Sequence, residues 1–392
     1  MVYPERFSNL PAYAWPRLRA LLGSIEPGGS PVNLTIGEPK HAFPDFVAKT
    51  IADYTHEFGN YPANDGRPEL IEAIADWIKR RFDVTLGLDQ VMALNGTREG
   101  LFNAAIALCP ETKNGAKPAV LIPNPFYQVY AIGALAAAAD PIFLPATKET
   151  GHLPDFAALD AETLNRTAIV FMCSPANPQG AVATRAYWTD LLRLAEKHDF
   201  RVFSDECYTE VWRDAPPVSA LQVADEIGAD PERVCIFHSL SKRSNLPGLR
   251  SGFVAGGRES IRHIRQLRAY AGAPLPMPLQ MAAARLWADE AHVEASRQRY
   301  VAKYDIADQV FDGHEDCAAP KAGFFLWLPV KDGEAATARL WAETGVRVLP
   351  GEYLSRTVDG LNPGKDYIRV AMVADEQELQ RGLTALRDCL YR

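Results

Sequence analysis

The sequence lacks clustered basic residues and has no excess of positive charge. Its 392 residues include 41 Lys and Arg against 49 Asp and Glu, which gives a formal net charge of -8. Proteins that bind nucleic acid carry a basic face or runs of Lys and Arg. We therefore expect no nucleic-acid partner for this chain.

Paired cysteines are also absent. The six cysteines are scattered and none belongs to a CxxC pair: Cys109, Cys173, Cys207, Cys235, Cys317 and Cys389. Structural zinc sites and disulfide frameworks require cysteines at short, characteristic spacings. The sequence thus predicts free, reduced thiols and no metal site.

Long apolar runs and a secretory signal are missing as well. The most apolar stretch, "AIGALAAAADPIFLPA" at 131–146, is interrupted by Asp140 and Pro141, which favours a helix followed by a strand over a membrane span. Residues 1–11, "MVYPERFSNLP", contain no basic segment followed by an apolar one. We expect a cytoplasmic protein with no membrane partner.

The chain has the composition of a globular protein with a large core, at 47% hydrophobic and 23% charged residues. Seven short runs rich in β-branched and aromatic residues alternate with helical patterns, which is typical of βαβ units. These runs are residues 91–95, 119–123, 141–145, 168–172, 201–205, 234–238 and 252–256. We predict an α/β fold with a mostly parallel sheet covered by helices on both faces.

A change of composition near residues 271–280, "AGAPLPMPLQ", indicates a second domain. This Pro-rich break is followed by long helical patterns and then by new strand patterns, "FFLWLPV", "VRVLP" and "YIRVAMV". We expect the second domain to begin soon after the break.

Three polar segments follow predicted strands, which is where open α/β sheets hold their ligands. In "LNGTREG", Gly96 and Thr97 open a helix, and the pattern fits either an anion site or an ordinary helix start. It matches neither a P-loop nor GxGxxG, so the usual signals for ATP and NAD are absent. Asp205 in "SDECY" either serves a ligand or caps a helix, and Asn177 in "SPANPQG" is compatible with simple turn chemistry.

The segment "HSLSKRSNLPGLRSGF" at 238–253 suggests a more specific chemistry. Lys242 is predicted in a turn after a strand, where nearby positive charge lowers a lysine pKa and prepares it to form a Schiff base. A solvated surface lysine is the simpler alternative. Ser239, Ser241 and Arg250 supply hydroxyls and a guanidinium suited to a phosphate dianion. Pyridoxal phosphate (PLP) carries both an aldehyde and a phosphate, so a reactive lysine beside a phosphate site indicates this cofactor.

The order and spacing of these motifs resemble the class I and II PLP-dependent aminotransferases of fold type I, along essentially the whole chain. The resemblance rests on S-x-S-K with an arginine eight residues later, together with "NPQG", "SDECY" and "YIRVA". The segments "IGEPKHAFP", "PNPFYQVY" and "RVLPGEYL" look most like the proteobacterial succinyldiaminopimelate transaminases. Gln179 and Cys207 depart from the residues common in relatives, without an expected change in chemistry.

The resemblance implies a role for each residue around the cofactor ring. Lys242 would bind the cofactor aldehyde and then move a proton between substrate and cofactor. Asp205 would pair with the pyridinium nitrogen, while Asn177 and Tyr208 would bond the phenolic oxygen. Tyr127 would stack on the ring, although by itself it also fits a core or surface aromatic.

The resemblance also implies how the phosphate and the substrate are held. The implied phosphate-binding residues are Gly96, Thr97, Ser239, Ser241 and Arg250, with Tyr61 contributed by the partner subunit of a homodimer. Arg369 would bind the substrate α-carboxylate, assisted by the backbone of Gly37 and by Asn177, whereas alone it fits a surface arginine. Arg98 is a candidate for the phosphate or for an acidic substrate tail, and the role of Arg243 stays open.

The implied organisation is an N-terminal arm at 1–44 that joins the small domain, a large PLP-binding domain at 45–285 with a seven-stranded sheet, and a C-terminal small α+β domain at 286–392. The implied reaction transfers an amino group between L-glutamate and N-succinyl-2-amino-6-oxopimelate, as in lysine and diaminopimelate biosynthesis. The alternatives are an aminotransferase for aspartate or aromatic amino acids, and a PLP-dependent C–S lyase. A regulator that keeps the fold is disfavoured because no basic DNA-binding segment is present.

Overall fold

The computed structural model describes residues 5–8, 10 and 13–392. The helices in these residues are α1 Ala14–Leu22, α2 Phe46–Asp53, α3 Pro68–Phe82, α4 Thr97–Leu108, α5 Val129–Ala136, α6 Ala161–Arg166, α7 Arg185–His198, α8 Ala220–Glu226, α9 Leu240–Arg243, α10 Arg258–Ala271, α11 Met277–Ala288, α12 Ala291–Val310, α13 Gly333–Thr344 and α14 Glu376–Leu390. The strands are β1 Val32–Asn33, β2 Val91–Leu94, β3 Ala119–Asn124, β4 Asp140–Pro145, β5 Thr167–Cys173, β6 Arg201–Asp205, β7 Val234–Ser239, β8 Gly252–Gly256, β9 Phe325–Pro329, β10 Val346–Arg347, β11 Leu349–Pro350 and β12 Tyr367–Ala371.

A seven-stranded sheet in the order β2-β8-β7-β6-β5-β3-β4 forms the centre of the molecule. Strand β8 is antiparallel to both of its neighbours, and the remaining pairs are parallel. Each of the seven strands overlaps one of the seven predicted apolar runs. The prediction of an α/β fold with a mostly parallel sheet is therefore confirmed.

The two faces of this sheet carry separate apolar layers, because successive side chains of a strand point to opposite faces. Phe203 and Phe237 pack in the layer that contains Tyr130. Val202 and Ile236 pack in the other layer, which contains Trp77 and two further tryptophans. A sheet buried on both faces explains why its strands are apolar throughout instead of alternating.

The C-terminal part builds a second sheet, in which β12 lies between β11 and β9 and is antiparallel to both. The N-terminal part joins it, because β1 pairs in parallel with β10. Helix α11, just after the Pro-rich break, packs on α2 and α3, whereas α12 packs on α14. The division at 1–44, 45–285 and 286–392 stays a prediction, and residues 1–4, 9, 11 and 12 lie outside the described part of the chain.

Candidate active site

A cavity of about 450 Å³ opens at the carboxyl ends of β5, β6 and β7, beside the first turn of α4. Ten of the predicted residues line it: Thr97, Arg98, Tyr127, Asn177, Asp205, Tyr208, Ser239, Ser241, Lys242 and Arg250. Tyr130, Cys173, Cys207 and Pro247 also line it and were not assigned a role from the sequence. The structure thus brings together residues that lie up to 153 positions apart in the chain, from Thr97 to Arg250.

Lys242 lies in the short helix α9, which begins directly after β7. The sequence predicts a turn here, and that prediction is wrong, because the Ser239 side chain accepts a hydrogen bond from Ser241 N and caps a first helical turn. Lys242 Nζ donates a hydrogen bond to the carbonyl oxygen of Gly37. The resemblance implies that the Gly37 backbone helps to bind the substrate carboxylate. In the structure, the Gly37 carbonyl oxygen instead accepts a hydrogen bond from Lys242.

The pKa of Lys242 is lowered to about 8, and burial is the largest cause. The charge of Cys207 opposes this shift, the charges of Arg369 and Arg250 add to it, and the charge of Glu38 opposes it. The sequence predicted a lowered pKa from neighbouring positive charge, and the structure makes burial the larger cause. A lysine with this pKa is partly neutral near pH 7, which is the form that attacks an aldehyde.

Asp205 ends β6 with its carboxylate in the cavity floor, only 5% exposed. Its Oδ2 accepts a hydrogen bond from Tyr130 Oη at 2.7 Å, and its Oδ1 accepts one from Cys207 N at 3.3 Å. The alternative that Asp205 caps a helix is wrong, because a turn and no helix follows β6. Burial raises the pKa of Asp205, while the bonds to Cys207 and Tyr130 lower it. A cation above this carboxylate would therefore hold it ionised.

Arg369 projects from β12 and is 5% exposed. Its Nη1 donates to Asn177 Oδ1 at 3.0 Å and its Nη2 to the carbonyl oxygen of Thr35 at 2.8 Å. Its Nε is buried without a hydrogen-bond partner. Because Arg369 can only donate, it fixes the orientation of the Asn177 amide and leaves the Asn177 NH₂ group as a donor to a bound molecule.

Arg250 adopts a left-handed conformation, with φ of 56°, after the turn that contains Asn245 and Pro247. Its Nη1 donates to Pro247 O at 2.7 Å and its Nη2 to Asn95 O at 3.3 Å. Gly96 has φ of 83°, and a Cβ there would lie 2.3 Å from Arg250 Nη2. Only glycine therefore leaves room for the guanidinium beside the start of α4.

Arg98 and Tyr61 are both exposed, and of the two only Arg98 lines the cavity. Arg98 lies exposed at the rim, where its Nε donates to Tyr127 Oη at 2.6 Å. Tyr61 is fully exposed and does not line the cavity of its own chain. This placement leaves the predicted contribution of Tyr61 to a partner subunit untested.

Arg243, the neighbour of Lys242, points away from the cavity. Its guanidinium is 3% exposed, donates to Leu286 O at 2.7 Å and Glu290 Oε1 at 2.7 Å, and lies 4.9 Å from the ring centroid of Trp287. Consecutive residues of a helix point about 100° apart, so Arg243 cannot share the direction of Lys242. The open role of Arg243 is thus structural, because it anchors α9 to α11.

The charges in this cavity fit PLP carrying an amino acid. Among the described residues, no carboxylate lies within ion-pair distance of Arg250 or Arg369, and no Lys, Arg or His pairs with Asp205. Asp205 and Arg369 are buried, and buried charges without partners are costly, so each of these two groups calls for a ligand of opposite charge. Arg250 is exposed at the cavity and is placed to bind an anion that enters it. A phosphate at Arg250, a pyridinium at Asp205 and a carboxylate at Arg369 satisfy all three.

The sequence pattern of the family described as "Aminotransferase class I and II" matches residues 30–386. The chain belongs to this family. The LL-diaminopimelate aminotransferase of Desulforudis audaxviator is 31% identical over 403 residues, which cover 100% of this chain and 98% of that protein.

Solved structures agree with this assignment. An aminotransferase from Neisseria meningitidis is 36% identical, with a TM-score of 0.94 and coverage of 99% of this chain and 100% of that chain. A probable N-succinyldiaminopimelate aminotransferase from Thermus thermophilus is 24% identical, with a TM-score of 0.81 over 95% of this chain and 98% of that chain, and supports the fold alone. The predicted family, the fold type I architecture and the PLP cofactor are confirmed. No helix in the described residues of this aminotransferase has the length and apolar character needed to cross a membrane.

The pKa of Lys242 gives a test on the cofactor-free aminotransferase. We expect the rate at which the apoenzyme captures PLP to rise about tenfold per pH unit below pH 8, because only the neutral amine attacks the aldehyde, and to level off above it. Stopped-flow absorbance of the bound cofactor between pH 6 and 10 measures this rate. A rate that keeps rising to pH 10 would show that the Lys242 pKa is unshifted.

Proposed function

We propose that this PLP-dependent aminotransferase exchanges the amino group of L-glutamate with N-succinyl-2-amino-6-oxopimelate in a ping-pong cycle. The observation that carries the reaction type is a set of three charges without an ionic partner among the described residues. Arg250 and Asp205 line the cavity, and Arg369 bonds Asn177 of its lining. The choice of acceptor is supported by the resemblance of several sequence segments to succinyldiaminopimelate transaminases. We therefore place the enzyme in diaminopimelate and lysine biosynthesis.

Each polar group of the site has a distinct part in this proposal. When bound, PLP supplies an electron sink for the electrons of the substrate Cα–H bond. Lys242 would hold the cofactor aldehyde. Once displaced by substrate, it would accept the Cα proton at Nζ and pass this proton to the cofactor. Asp205 keeps the ring nitrogen protonated by its negative charge.

The phenolic edge of the cofactor would meet two donors. Asn177 presents its NH₂ group, because its oxygen is occupied by Arg369. Burial raises the pKa of Tyr208 well above its usual value, so its hydroxyl stays protonated and can donate. Ser239, Ser241, Arg250 and the backbone at Gly96 and Thr97 would bind the phosphate, and Tyr127 would stack on the ring.

Both proposed substrates carry a second acidic group, which requires a cation beyond Arg369. Arg98 is the candidate, because it lies at the rim of the cavity and, within the described part of the chain, its guanidinium makes only a neutral hydrogen bond, to Tyr127 Oη. The same placement would serve any amino donor with a distal carboxylate. Arg98 therefore supports an acidic substrate without choosing among acidic substrates.

A second candidate is LL-diaminopimelate without a succinyl group. It is favoured by the relatives named LL-diaminopimelate aminotransferase, which match the chain along nearly its full length. Aspartate shares the distal carboxylate that Arg98 would bind, whereas the aromatic and C–S lyase alternatives have no matching observation among the residues that line the cavity. All three alternatives are compared in the test below.

A survey of amino donors by single half-reactions tests the proposal. We expect the bound-cofactor spectrum to change with L-glutamate and with N-succinyl-LL-diaminopimelate, and much more slowly with LL-diaminopimelate, aspartate and phenylalanine. Faster reaction with free LL-diaminopimelate would select the second candidate, and release of pyruvate from cystathionine would select a lyase.

In Arg98→Ala, the KM for glutamate should rise about tenfold while the KM for alanine stays constant, because alanine has no distal acid.

We also propose a homodimer in which the partner's copy of residue 61 reaches the phosphate. The support is the full exposure of Tyr61 in the single chain, together with the exposed aromatics Phe58 and Tyr270. Sedimentation equilibrium should give twice the chain mass of 43.2 kDa, and a monomeric mass would remove the proposal. The three-part domain division and the cytoplasmic location stay predictions.

A further inference from the structure

A buried polar cluster lies beneath the cavity, on the opposite face of the large sheet. Asp205 and Ser239 end β6 and β7 and line the cavity. The residues beside them in sequence, Glu206 and His238, point the other way because neighbouring strand side chains alternate. His238 stacks on Phe253 and meets the edge of Trp77, which belong to the layer away from the cavity.

Glu206 is the centre of this cluster and is 1% exposed. Its Oε1 accepts hydrogen bonds from Ser204 Oγ at 2.9 Å, Ser219 Oγ at 3.0 Å and Ala220 N at 3.0 Å. Its Oε2 lies 3.0 Å from Nε2 of His238, which is 3% exposed. A carboxylate in an apolar layer is costly, and four hydrogen bonds offset that cost only while all partners keep their places.

These four bonds connect three elements of the fold. Ser204 belongs to β6, His238 to β7, and the Ser219 side chain caps the first turn of α8. Glu206 N also donates to Phe237 O at 2.9 Å, which continues the pairing of β6 with β7 beyond their last register pair. Glu206 therefore fixes the ends of the two strands from which Asp205 and Ser239 project.

We infer that Glu206 is a positioning residue for PLP: its carboxylate sets the separation of Asp205, at the pyridine end of the cofactor, from Ser239, at the phosphate end. The inference rests on the roles proposed above for Asp205 and Ser239. It assigns Glu206 no contact with the cofactor or the substrate. It also explains why a carboxylate is present in a layer that could be filled by apolar side chains at lower desolvation cost.

The test is a titration of apoenzyme variants with PLP, in which the change in tryptophan fluorescence reports binding. We expect Glu206→Ala to weaken PLP binding about tenfold, the lower end of the loss found when a residue that orients the ligands of a metal ion is removed. Glu206→Gln keeps an acceptor oxygen for Ser204, Ser219 and Ala220, so it should restore most of the affinity. The KM for L-glutamate should stay unchanged in both, because Arg369 lies on β12.

Glu210→Ala is the matched control. Glu210 lies in the same turn, is 7% exposed and pairs with Arg81 Nε at 2.8 Å, but it has no bond to the strands that bear Asp205 and Ser239. We expect this control to lower the melting temperature of the apoenzyme and leave PLP affinity unchanged. If Glu206→Ala does not fold, His238→Gln carries the test, because it changes the partner of Glu206 Oε2, and it should weaken PLP binding more than Glu210→Ala does.

The inference is overturned if Glu206→Ala and His238→Gln both bind PLP with wild-type affinity, or if Glu210→Ala weakens binding by the same factor as Glu206→Ala. Either result leaves the proposed amino-group transfer intact, since that is measured by the reaction of wild-type holoenzyme with glutamate. Failure of glutamate to react with wild-type holoenzyme would instead remove the proposed substrate. The PLP titration stays interpretable in that case.

Discussion

Replacing Lys242 by alanine is expected to reduce turnover by about 10⁴-fold or more, because the variant loses both the amine that holds the aldehyde and the base that moves the Cα proton. Its PLP should also become resistant to trapping by borohydride, since no lysine bond to the cofactor remains to be reduced. Both are measured on purified holoenzyme, by single-turnover absorbance and by mass spectrometry after reduction. The sheet is untouched, so a folded protein is expected.

Lys303→Met is the matched control for this experiment. Lys303 is also buried, and burial is the main cause that lowers its pKa to about 8. Among the described residues, its Nζ bonds only His41 Nε2, at 2.8 Å. It lies on α12 and does not line the cavity. We expect it to lose stability and keep borohydride trapping at Lys242. Wild-type turnover in Lys242→Ala would contradict the assignment of Lys242.

Arg369→Ala is expected to raise the KM for every amino donor, by about 30-fold to several-thousand-fold, which corresponds to roughly 2 to 5 kcal/mol for one partner of a buried charge pair. Burial lowers the pKa of Arg369 to about 10, so the side chain is still a cation at neutral pH and binds an α-carboxylate. The loss should be similar for alanine and glutamate, because both carry this carboxylate.

Arg369→Lys separates charge from geometry. Lysine keeps the positive charge, but it cannot bond Asn177, Thr35 and a carboxylate at the same time from a planar fork. We expect it to recover only part of the lost affinity. Steady-state kinetics with alanine and glutamate measure both variants, and a KM that does not change in Arg369→Ala would show that the α-carboxylate binds elsewhere.

The large sheet could be predicted from local patterns in the sequence, and most of the cavity from those patterns together with the resemblance to the aminotransferases. Apolar runs bounded by turns mark the buried strands, and polar residues just after those runs mark the ligand-binding edge. The start of helix α7 also has a local cause, because the Thr184 side chain accepts a hydrogen bond from Tyr187 N and caps the first turn.

The features that the sequence did not predict are those that leave no pattern in the neighbouring residues. Helix α9 has four residues, too few for a periodic pattern, so Lys242 was placed in a turn and Arg243 could not be assigned a direction. The Tyr130 bond to Asp205 joins residues 75 positions apart, and nothing in "PFYQVY" distinguishes Tyr130 from Tyr127. Glu206 was visible next to Asp205, but its partners come from β7 and α8, which only the folded chain brings together.

The two ends of the active site are completed at different stages of synthesis. Every residue proposed to hold PLP within one chain lies between Gly96 and Arg250. The α-carboxylate end needs Thr35 and Arg369, which are 334 positions apart, and strand β1 has no pairing partner until β10 has been made. The residues proposed to hold PLP are therefore all synthesised before Arg369, and a chain that ends before β12 would lack the side chain proposed to bind the substrate α-carboxylate.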